Sequence, residues 1–305
     1  MQKCLKSRKQ LETTWTYLIN ERDKNMKNPE QLKGAIRNIA REKNLHAQEI
    51  LQFFFFERLL DRLSQSDYRK NFILKGGLLI SSRIGVSERT TMDMDTTVQG
   101  ISMESANIER VMREIISIDV NDGISFILSK MEPIREDDEY ENYRIHLTAE
   151  YGKIKNPIKI DVTTGDHVTP DAVEYGFHSL FDEKIIPVNA YQLETILAEK
   201  YETILRRGIG NTRARDYYDL YALFHLYRDT ISVDLLKLAI RHTAETRNSL
   251  NTLSNYIEIC EEVKHEQALI NLWQNYTDEY SYANHISFEN VVDNVKAFGD
   301  YIESN

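Results

Sequence analysis

The stretch from Asn71 to Val98 constrains the fold most, because it places one strand before and one strand after a glycine turn and a helix. Residues 72–74 are apolar and lead into Lys75-Gly76-Gly77, and residues 78–80 are apolar again. This order predicts a short strand, a tight turn and a helix. Residues 91–98 then alternate between polar and apolar side chains, which predicts a second, half-buried strand.

The same patterns divide the rest of the chain into a central sheet and helical ends. Glycine (12) and proline (5) are scarce among 305 residues, which favours helix over a loop-rich β-structure. Extended segments are predicted at 124–130, 143–151 and 158–163. Helices are predicted as two elements within 29–66 and at 105–118, 191–208, 213–228, 232–246, 250–263, 265–276 and 287–302.

These elements predict an α+β fold, with a mixed sheet in the middle flanked by helices from both ends. The predicted domains are an N-terminal helical element at 1–70, a core at 71–188 and a C-terminal helical domain at 189–305. Residues 51–63 contain four consecutive phenylalanines and further apolar residues at helical spacing. That apolar stripe is too short to span a bilayer, so it is predicted to be core.

Charge and cysteine content exclude several classes of protein. The two cysteines, Cys4 and Cys260, are too few for a disulfide framework or a closely spaced zinc site. No segment has the length of a membrane span, and we expect a cytoplasmic protein. The net charge of −10 argues against a general polyanion binder, but residues 1–46 are basic and would allow a nucleic acid to bind on one side.

Two aspartates in the second predicted strand are the first candidates for chemistry. In Met92-Asp93-Met94-Asp95, alternation sends both methionines to one face and both carboxylates to the other, about 7 Å apart along the strand. Carboxylates this close repel each other, and a divalent cation offsets that repulsion. Magnesium fits such a pair, because it completes its shell with waters and phosphates. The alternative is a solvated strand edge without function.

Asp161 and the glycine turn add to this pattern. On the predicted strand 158–163, the Asp161 side chain faces one way and the apolar side chains around it face the other. The strand precedes a Gly165-Asp166 turn. A third carboxylate would complete a two-metal site; the alternative is an edge residue that keeps the strand soluble. Gly76 and Gly77 bring backbone N–H groups to the start of a helix, where an anion is favoured. Their alternative is a plain strand-to-helix turn.

The predicted helix 191–208 contains a lysine on its apolar stripe. Lys200 falls among buried positions, whereas Glu199, Glu202 and Arg206 are predicted on the outer face. A buried lysine needs an anion, which could be a bound triphosphate or a structural ion pair, or else it must extend to solvent. Asp216 begins the next helix, where a carboxylate ordinarily compensates the helix dipole. The nearby arginines at 206, 207, 213 and 215 could contact phosphates.

Taken in order, these motifs resemble the AbiEii/AbiGii toxin family. The motifs are Lys75-Gly76-Gly77, Arg89-x-x-x-Asp93-x-Asp95, Ile158-x-Ile160-Asp161-Val162, Leu197-Ala198-Glu199-Lys200 and Arg215-Asp216-Tyr217-Tyr218-Asp219-Leu220. The resemblance runs from about Ile36 to Tyr227. It implies a DNA polymerase β-like nucleotidyltransferase fold and a toxin of a type IV toxin–antitoxin pair that protects bacteria from phage by growth arrest. Related MenT toxins add nucleotides to the 3′ end of tRNA.

The resemblance also implies roles for individual residues. Asp93 and Asp95 match the metal-binding pair, Lys200 the triphosphate-binding lysine, Asp216 a required acidic residue and Asp161 a strand aspartate of the site. The implied cofactor is Mg²⁺ and the donor is CTP, UTP or GTP, without a choice among them. The implied partners are an RNA acceptor and a cognate antitoxin, which either binds the toxin or only represses its transcription. Leu78 departs from the family, which usually has a phosphate-binding Ser or Thr there; Ser81 or Ser82 could substitute.

The mechanism predicted from these residues is nucleotide transfer to an acceptor hydroxyl. Asp93 and Asp95, with Asp161, would hold magnesium while Lys75, Gly76, Gly77, Arg89 and Lys200 contact the phosphates. Asp161 is the candidate base, and the acceptor is expected to be the 3′ end of an RNA such as tRNA. Two alternatives stay open: transfer to a protein or small-molecule hydroxyl, and a nucleotide-binding module without catalysis.

Overall fold

The computed structural model describes residues 28–134, 142–164 and 168–305. Within them the chain forms two compact units. The first, here called the sheet unit, comprises 28–134, 142–164 and 172–190; the second, the helical unit, comprises 168–171 and 191–305. The fold is α+β with a mixed sheet, as predicted. The domain boundaries after residues 70 and 188 stay a prediction.

The described residues of the sheet unit contain seven strands in the order β3-β4-β5-β2-β1-β7-β6. Strand β2 pairs with β1 in antiparallel and with β5 in parallel orientation, and β1 also pairs in parallel with β7. The other neighbours are antiparallel. The strands are β1 Phe72–Lys75, β2 Asp93–Val98, β3 Ser125–Pro133, β4 Tyr143–Tyr151, β5 Ile154–Thr163, β6 Val173–His178 and β7 Ile185–Ala190.

Strands β6 and β7 were not predicted from the sequence. Strand β7 contains Pro187 and β6 contains Gly176, and both residue types count against a strand in pattern analysis. Pro187 and Gly176 lie opposite each other where β7 pairs with the edge strand β6. Tertiary pairing at this end of the sheet therefore overrides a weak local signal.

Four helices complete the described part of the sheet unit, and the two predicted within 29–66 are confirmed. Helix α1 (Pro29–Lys43) begins with proline, and the Asn28 side chain accepts hydrogen bonds from the backbone N–H groups of residues 30 and 31. Helix α2 (Ala47–Gln65) buries all four phenylalanines at 53–56, as expected for core. Helix α3 (Gly76–Ile84) follows β1 directly, and helix α4 is Ser105–Ser117. The glycine turn thus opens a helix, as predicted.

The described part of the helical unit contains seven α-helices, and no described helix is long and apolar enough to cross a membrane. They are α5 Leu193–Arg207, α6 Ala214–Tyr227, α7 Val233–Thr246, α8 Leu250–Ser254, α9 Tyr256–Lys264, α10 Gln267–Glu279 and α11 Phe288–Ser304. The segment predicted as one helix at 250–263 is two helices that meet at Asn255. The other predicted helices of this unit match within a few residues.

The prediction that Glu202 faces outward on α5 was wrong. Its side chain is fully buried and accepts hydrogen bonds from Arg206 Nε at 2.7 Å, Arg247 Nη1 at 2.6 Å and the Ser249 hydroxyl at 2.7 Å. A charge can be buried when each oxygen is paired in this way. Because Arg247 and Ser249 lie far along the chain, helical periodicity alone could not reveal these partners.

Candidate active site in the sheet unit and acidic pair in the helical unit

Asp93 and Asp95 lie at the start of β2 on one face of the sheet. Met94, between them, is buried on the opposite face with 2% of its surface exposed, and both aspartates are half-buried. The predicted alternation of the strand is therefore confirmed for these positions. Met92 lies just before the strand and is exposed, so it does not join Met94 in the core.

The strand register aligns four charged residues in one row across the sheet. Lys75 of β1 lies opposite Asp95 of β2, and Asp95 lies opposite Asp161 of β5. Asp161 in turn lies opposite Arg144 of β4. Directly opposite residues in neighbouring strands project to the same face. The row therefore places two adjacent carboxylates between two cations, and Asp93 lies two residues away on the same face.

Asp161 is held by Arg144, which was not among the predicted site residues. Arg144 Nε donates to Asp161 Oδ1 at 2.8 Å, and Arg144 Nη2 donates to Oδ2 at 2.8 Å. Hydrogen bonding to Asp161 raises the pKa of Arg144 above its usual value, and Asp93 contributes to this rise through its charge. Both oxygens of Asp161 thus accept from one guanidinium. Its roles as base and metal ligand stay predictions.

Gly76 lets the Asp95 carboxylate lie against the first residue of α3. A Cβ atom on Gly76 would lie only 2.0 Å from Asp95 Oδ2, and the Gly76 backbone has φ +65°. Both observations require glycine at this position. The start of a helix also favours a nearby negative charge. The glycine turn therefore has a role in placing Asp95, in addition to any contact with phosphate.

Gly77 makes room for two side chains that precede β2. A Cβ atom there would lie 2.7 Å from the Thr91 hydroxyl and 3.2 Å from Arg89 Nη2. Arg89 is buried, with 3% of its surface exposed, and its guanidinium donates to the backbone oxygen of Thr90. Arg89 therefore packs behind the glycine turn, and its contact with phosphate stays a prediction.

Both serines that could substitute for the hydroxyl missing at Leu78 donate hydrogen bonds to the backbone of their own helix. Ser81 is fully buried and donates to the Gly77 oxygen at 2.8 Å. Ser82 donates to the Leu79 oxygen at 2.7 Å and lies 3.1 Å from the Tyr175 hydroxyl. Leu78 itself is fully buried. Phosphate binding by the backbone of Gly76 and Gly77 stays a prediction.

The side chains fit a magnesium site built on two carboxylates. In the part of the chain that the structure describes, no three His, Cys, Asp or Glu side chains are arranged to hold a metal ion. Magnesium, however, is commonly held by one or two carboxylates together with water and substrate phosphates. Asp93 and Asp95 supply two carboxylates on one face, whereas Asp161 is paired with Arg144. The three-carboxylate site stays a prediction.

In the helical unit, Lys200 of α5 is paired with two aspartates of α6. Its Nζ atom lies 2.6 Å from Asp216 Oδ1 and 2.9 Å from Asp219 Oδ2. The exposed fractions of the side chains are 16% for Lys200, 3% for Asp216 and 0% for Asp219. Of the partners considered for Lys200, the structural ion pair is the one observed. Asp219 was missed, although its spacing of three residues from Asp216 puts both on one helix face.

The arginine cluster in this unit is only partly available to a ligand. Arg206 is paired with buried Glu202, and Arg213 Nε lies 3.4 Å from Asp216 Oδ2. Arg215 lies over the ring of Tyr280 at 5.1 Å and donates to its hydroxyl. Each of these three guanidinium groups therefore has a protein partner, while Arg206 and Arg213 remain exposed.

Three solved structures are similar to this chain. The chain is 14% identical to a presumed nucleotidyltransferase from H. pylori, with a TM-score of 0.51 over 85% of this chain and 96% of that one. JHP933 from Helicobacter pylori is 15% identical, with a TM-score of 0.47 over 85% of this chain and 95% of that one. An antigenic nucleotidyltransferase-like protein from Paracoccidioides brasiliensis is 14% identical, with a TM-score of 0.40 over 66% of this chain and 90% of that one. No curated protein matches the chain.

The first of these similarities shows that the chain shares the fold of that protein. A family model described as nucleotidyl transferase AbiEii toxin, type IV TA system, matches residues 58–294. The chain therefore belongs to the AbiEii family of nucleotidyltransferase toxins. A toxin of this class acts with a cognate antitoxin. The resemblance stated from the motifs is thus confirmed, and so is nucleotidyltransferase as the class of enzyme.

Proposed function

We propose that the enzyme transfers a nucleoside monophosphate from CTP, UTP or GTP to an RNA acceptor, the 3′ end of tRNA, with Mg²⁺ as cofactor. The modification would take place in the bacterial cytoplasm, and the growth arrest that results would protect against phage. The observation that supports the proposal is the position of Asp93 and Asp95 on one sheet face, with Asp95 against Gly76 at the start of α3. This arrangement puts the Asp95 carboxylate beside the start of a helix, where the backbone N–H groups favour phosphate.

Asp93 and Asp95 are the proposed magnesium ligands, and bound magnesium would supply positive charge that offsets the charge of the phosphates. The backbone of Gly76 and Gly77 binds a phosphate at the start of α3. Lys75 adds a positive charge at the end of β1, in the same row as Asp95. Among these groups, charge and position lower the barrier, as in other phosphoryl transfers.

Asp161 is the proposed base in the transfer step. The acceptor hydroxyl attacks the α-phosphorus, the bond from that phosphorus to the bridging oxygen breaks, and pyrophosphate leaves. The hydroxyl proton goes to Asp161, because each of its oxygens has a second lone pair beside the one to which Arg144 donates. In the helical unit we propose that Lys200 binds triphosphate. Asp216 orients the lysine side chain, since the two side chains are ion-paired at 2.6 Å.

The proposal is tested with purified protein, Mg²⁺, total RNA and each labelled nucleoside triphosphate in turn. We expect a labelled band of tRNA size, and Asp93→Asn or Asp95→Asn should abolish it without lowering the melting temperature. Asp234→Asn, at an exposed position of α7, is the control and should leave labelling unchanged. An active Asp93→Asn variant would contradict the assignment of the acidic pair. Label on protein or on a small molecule would instead identify another acceptor.

A second candidate function, nucleotide binding without catalysis, has one observation in its favour. Leu78 occupies the position where the family usually has a hydroxyl, and the Ser81 and Ser82 hydroxyls are bonded to their own helix. This module would bind a triphosphate tightly and release no pyrophosphate in the presence of any RNA. Pyrophosphate release measured in the same reactions distinguishes the two functions.

A further inference from the structure

A cluster of four tyrosines lies at one surface of the helical unit. Three of them, Tyr218, Tyr276 and Tyr282, are buried with less than a tenth of their surface exposed. Tyr280 is only half-buried, although its ring stacks on Tyr282 at 5.4 Å between centroids and lies 4.9 Å from the ring of Tyr276. The cluster therefore has a packed interior and one ring that reaches the surface.

Arg215 extends this aromatic surface. Its guanidinium carbon lies 5.1 Å from the centre of the Tyr280 ring, and its Nη2 atom donates to the Tyr280 hydroxyl. Arg215 is itself half-buried. A guanidinium is planar and always charged, so it can stack on a flat ring and bind a phosphate oxygen. The surface thus combines a ring, a planar cation and hydrogen-bond donors.

We propose that Tyr280 and Arg215 form a stacking site for a nucleobase. Proteins that bind single-stranded nucleic acid use aromatic rings and arginine planes in this way, because every base has a flat π-face. Arg215 directly precedes Asp216, whose carboxylate lies 2.6 Å from Lys200 Nζ. A base on Tyr280 would therefore be bound within the same unit as the residues proposed to bind triphosphate. The inference rests on the proposed function for the identity of the reaction, but stacking itself can be measured without transfer.

The helical unit contains a matched control for this geometry. Arg228 lies over the Tyr301 ring at 5.2 Å, and Tyr301 is half-buried like Tyr280. Tyr301 packs on Phe224, not on a cluster of tyrosines, and Arg228 does not adjoin an ion-paired aspartate of α6. The two pairs therefore share chemistry but differ in position. If arginine–tyrosine pairs bound nucleic acid wherever they occur, both would respond to substitution.

The experiment measures binding of two probes to the full-length protein: a fluorescent single-stranded RNA oligonucleotide, and each nucleoside triphosphate with Mg²⁺. Tyr280→Leu should weaken binding about tenfold, which corresponds to about 1.4 kcal/mol. Tyr280→Phe keeps the ring and should bind within twofold of the wild type. Tyr301→Leu should bind like the wild type. A loss with RNA assigns the site to the acceptor, and a loss with triphosphate alone assigns it to the donor.

Unchanged binding of both probes by a folded Tyr280→Leu protein would overturn the proposal. Should that variant not fold, Arg215→Met leaves Tyr280 in place, removes the planar cation and carries the same expectation for both probes. Nucleotide transfer by the wild type is measured in parallel. A wild type that transfers nucleotides to RNA, together with unchanged binding by the variants, would reject the stacking site alone. A wild type without transfer would reject the proposed function, while the triphosphate probe would still test the stacking site.

Discussion

Arg144 binds Asp161 through two parallel hydrogen bonds of 2.8 Å, so the third aspartate of the candidate site is not simply available to a metal ion. The pair links β4 to β5, and Asp161 lies opposite Asp95 of β2. A planar guanidinium matches a carboxylate in this geometry better than any other side chain does. Arg144 therefore positions Asp161 and at the same time adds a positive charge beside the proposed magnesium ligands.

Arg144→Leu should strengthen magnesium binding and weaken the fold. Loss of the guanidinium removes a positive charge that acts on both Asp161 and Asp93, so we expect the Kd for Mg²⁺ to fall several-fold, measured by isothermal titration. The free energy of unfolding should fall by about 1 kcal/mol, because the Arg144 side chain is 38% exposed. Arg110→Leu, at an exposed position of α4, is the control. Weaker magnesium binding by Arg144→Leu would contradict this account.

Gly76→Ala should disable the site by displacing Asp95. The new Cβ atom would lie 2.0 Å from Asp95 Oδ2, so either the carboxylate or the turn must move, and φ +65° adds strain of about 1–2 kcal/mol. We expect nucleotide transfer to be lost and the melting temperature to fall. Gly34→Ala is the matched control, because a Cβ there meets nothing within 4 Å and α1 should gain about 0.5–1 kcal/mol. A fully active Gly76→Ala protein would show that Asp95 is not held as described.

The sequence predicted those parts of the site that depend on local order along one strand or turn. Asp93 and Asp95 share a face because strand side chains alternate, and Gly76 opens a helix because a strand precedes it and apolar residues follow. The partners of these residues depend on strand register, which links distant segments and is set by the whole sheet. For that reason Arg144 was missed as the partner of Asp161, although both residues lay in predicted strands.

In the helical unit, too, local pattern predicted the positions of side chains along a helix but not their partners from other helices. Periodicity placed Lys200 on a buried stripe and indicated that it needs an anion. It could not tell which anion, because the partners Asp216 and Asp219 lie on the next helix. It also placed Glu202 outside, since no pattern within α5 shows that Arg247 and Ser249 cover it. Local pattern predicts which face is buried, whereas tertiary packing decides which charges are buried with it.

Lys200→Ala should lose stability as well as activity. The substitution leaves the carboxylates of Asp216 and Asp219 without their central cation at almost complete burial, which costs about 3–5 kcal/mol. We therefore expect a clear fall in melting temperature. The exposed Lys237→Ala of α7 is the control and should not change it. Lys200→Arg, which keeps the charge, should recover most of the stability. An unchanged melting temperature in Lys200→Ala would mean that the ion pairs do not contribute to the fold.

Glu57 should make the stability of the protein depend on pH between about 4.5 and 7. Its side chain is fully buried on α2, and burial raises the pKa to about 7, although Arg58 and hydrogen bonds from Leu180 N–H and the Ser179 hydroxyl act in the opposite direction. The folded protein thus retains a proton that the unfolded chain has lost in this window, so the contribution of Glu57 to stability decreases as pH rises. The loss is on the order of 3 kcal/mol across the window.

Glu57→Gln removes this titration and should therefore become more stable relative to the wild type as pH rises from 5 to 8. The measurement is urea unfolding of both proteins at unit steps of pH, and the difference between their free energies of unfolding cancels the groups they share. For Glu258→Gln, at an exposed position of α9, the free energy of unfolding should differ from that of the wild type by the same amount at every pH. A difference for Glu57→Gln that was also constant with pH would show that Glu57 keeps the same charge in the folded and unfolded chain, and that Arg58 holds it ionised despite its burial.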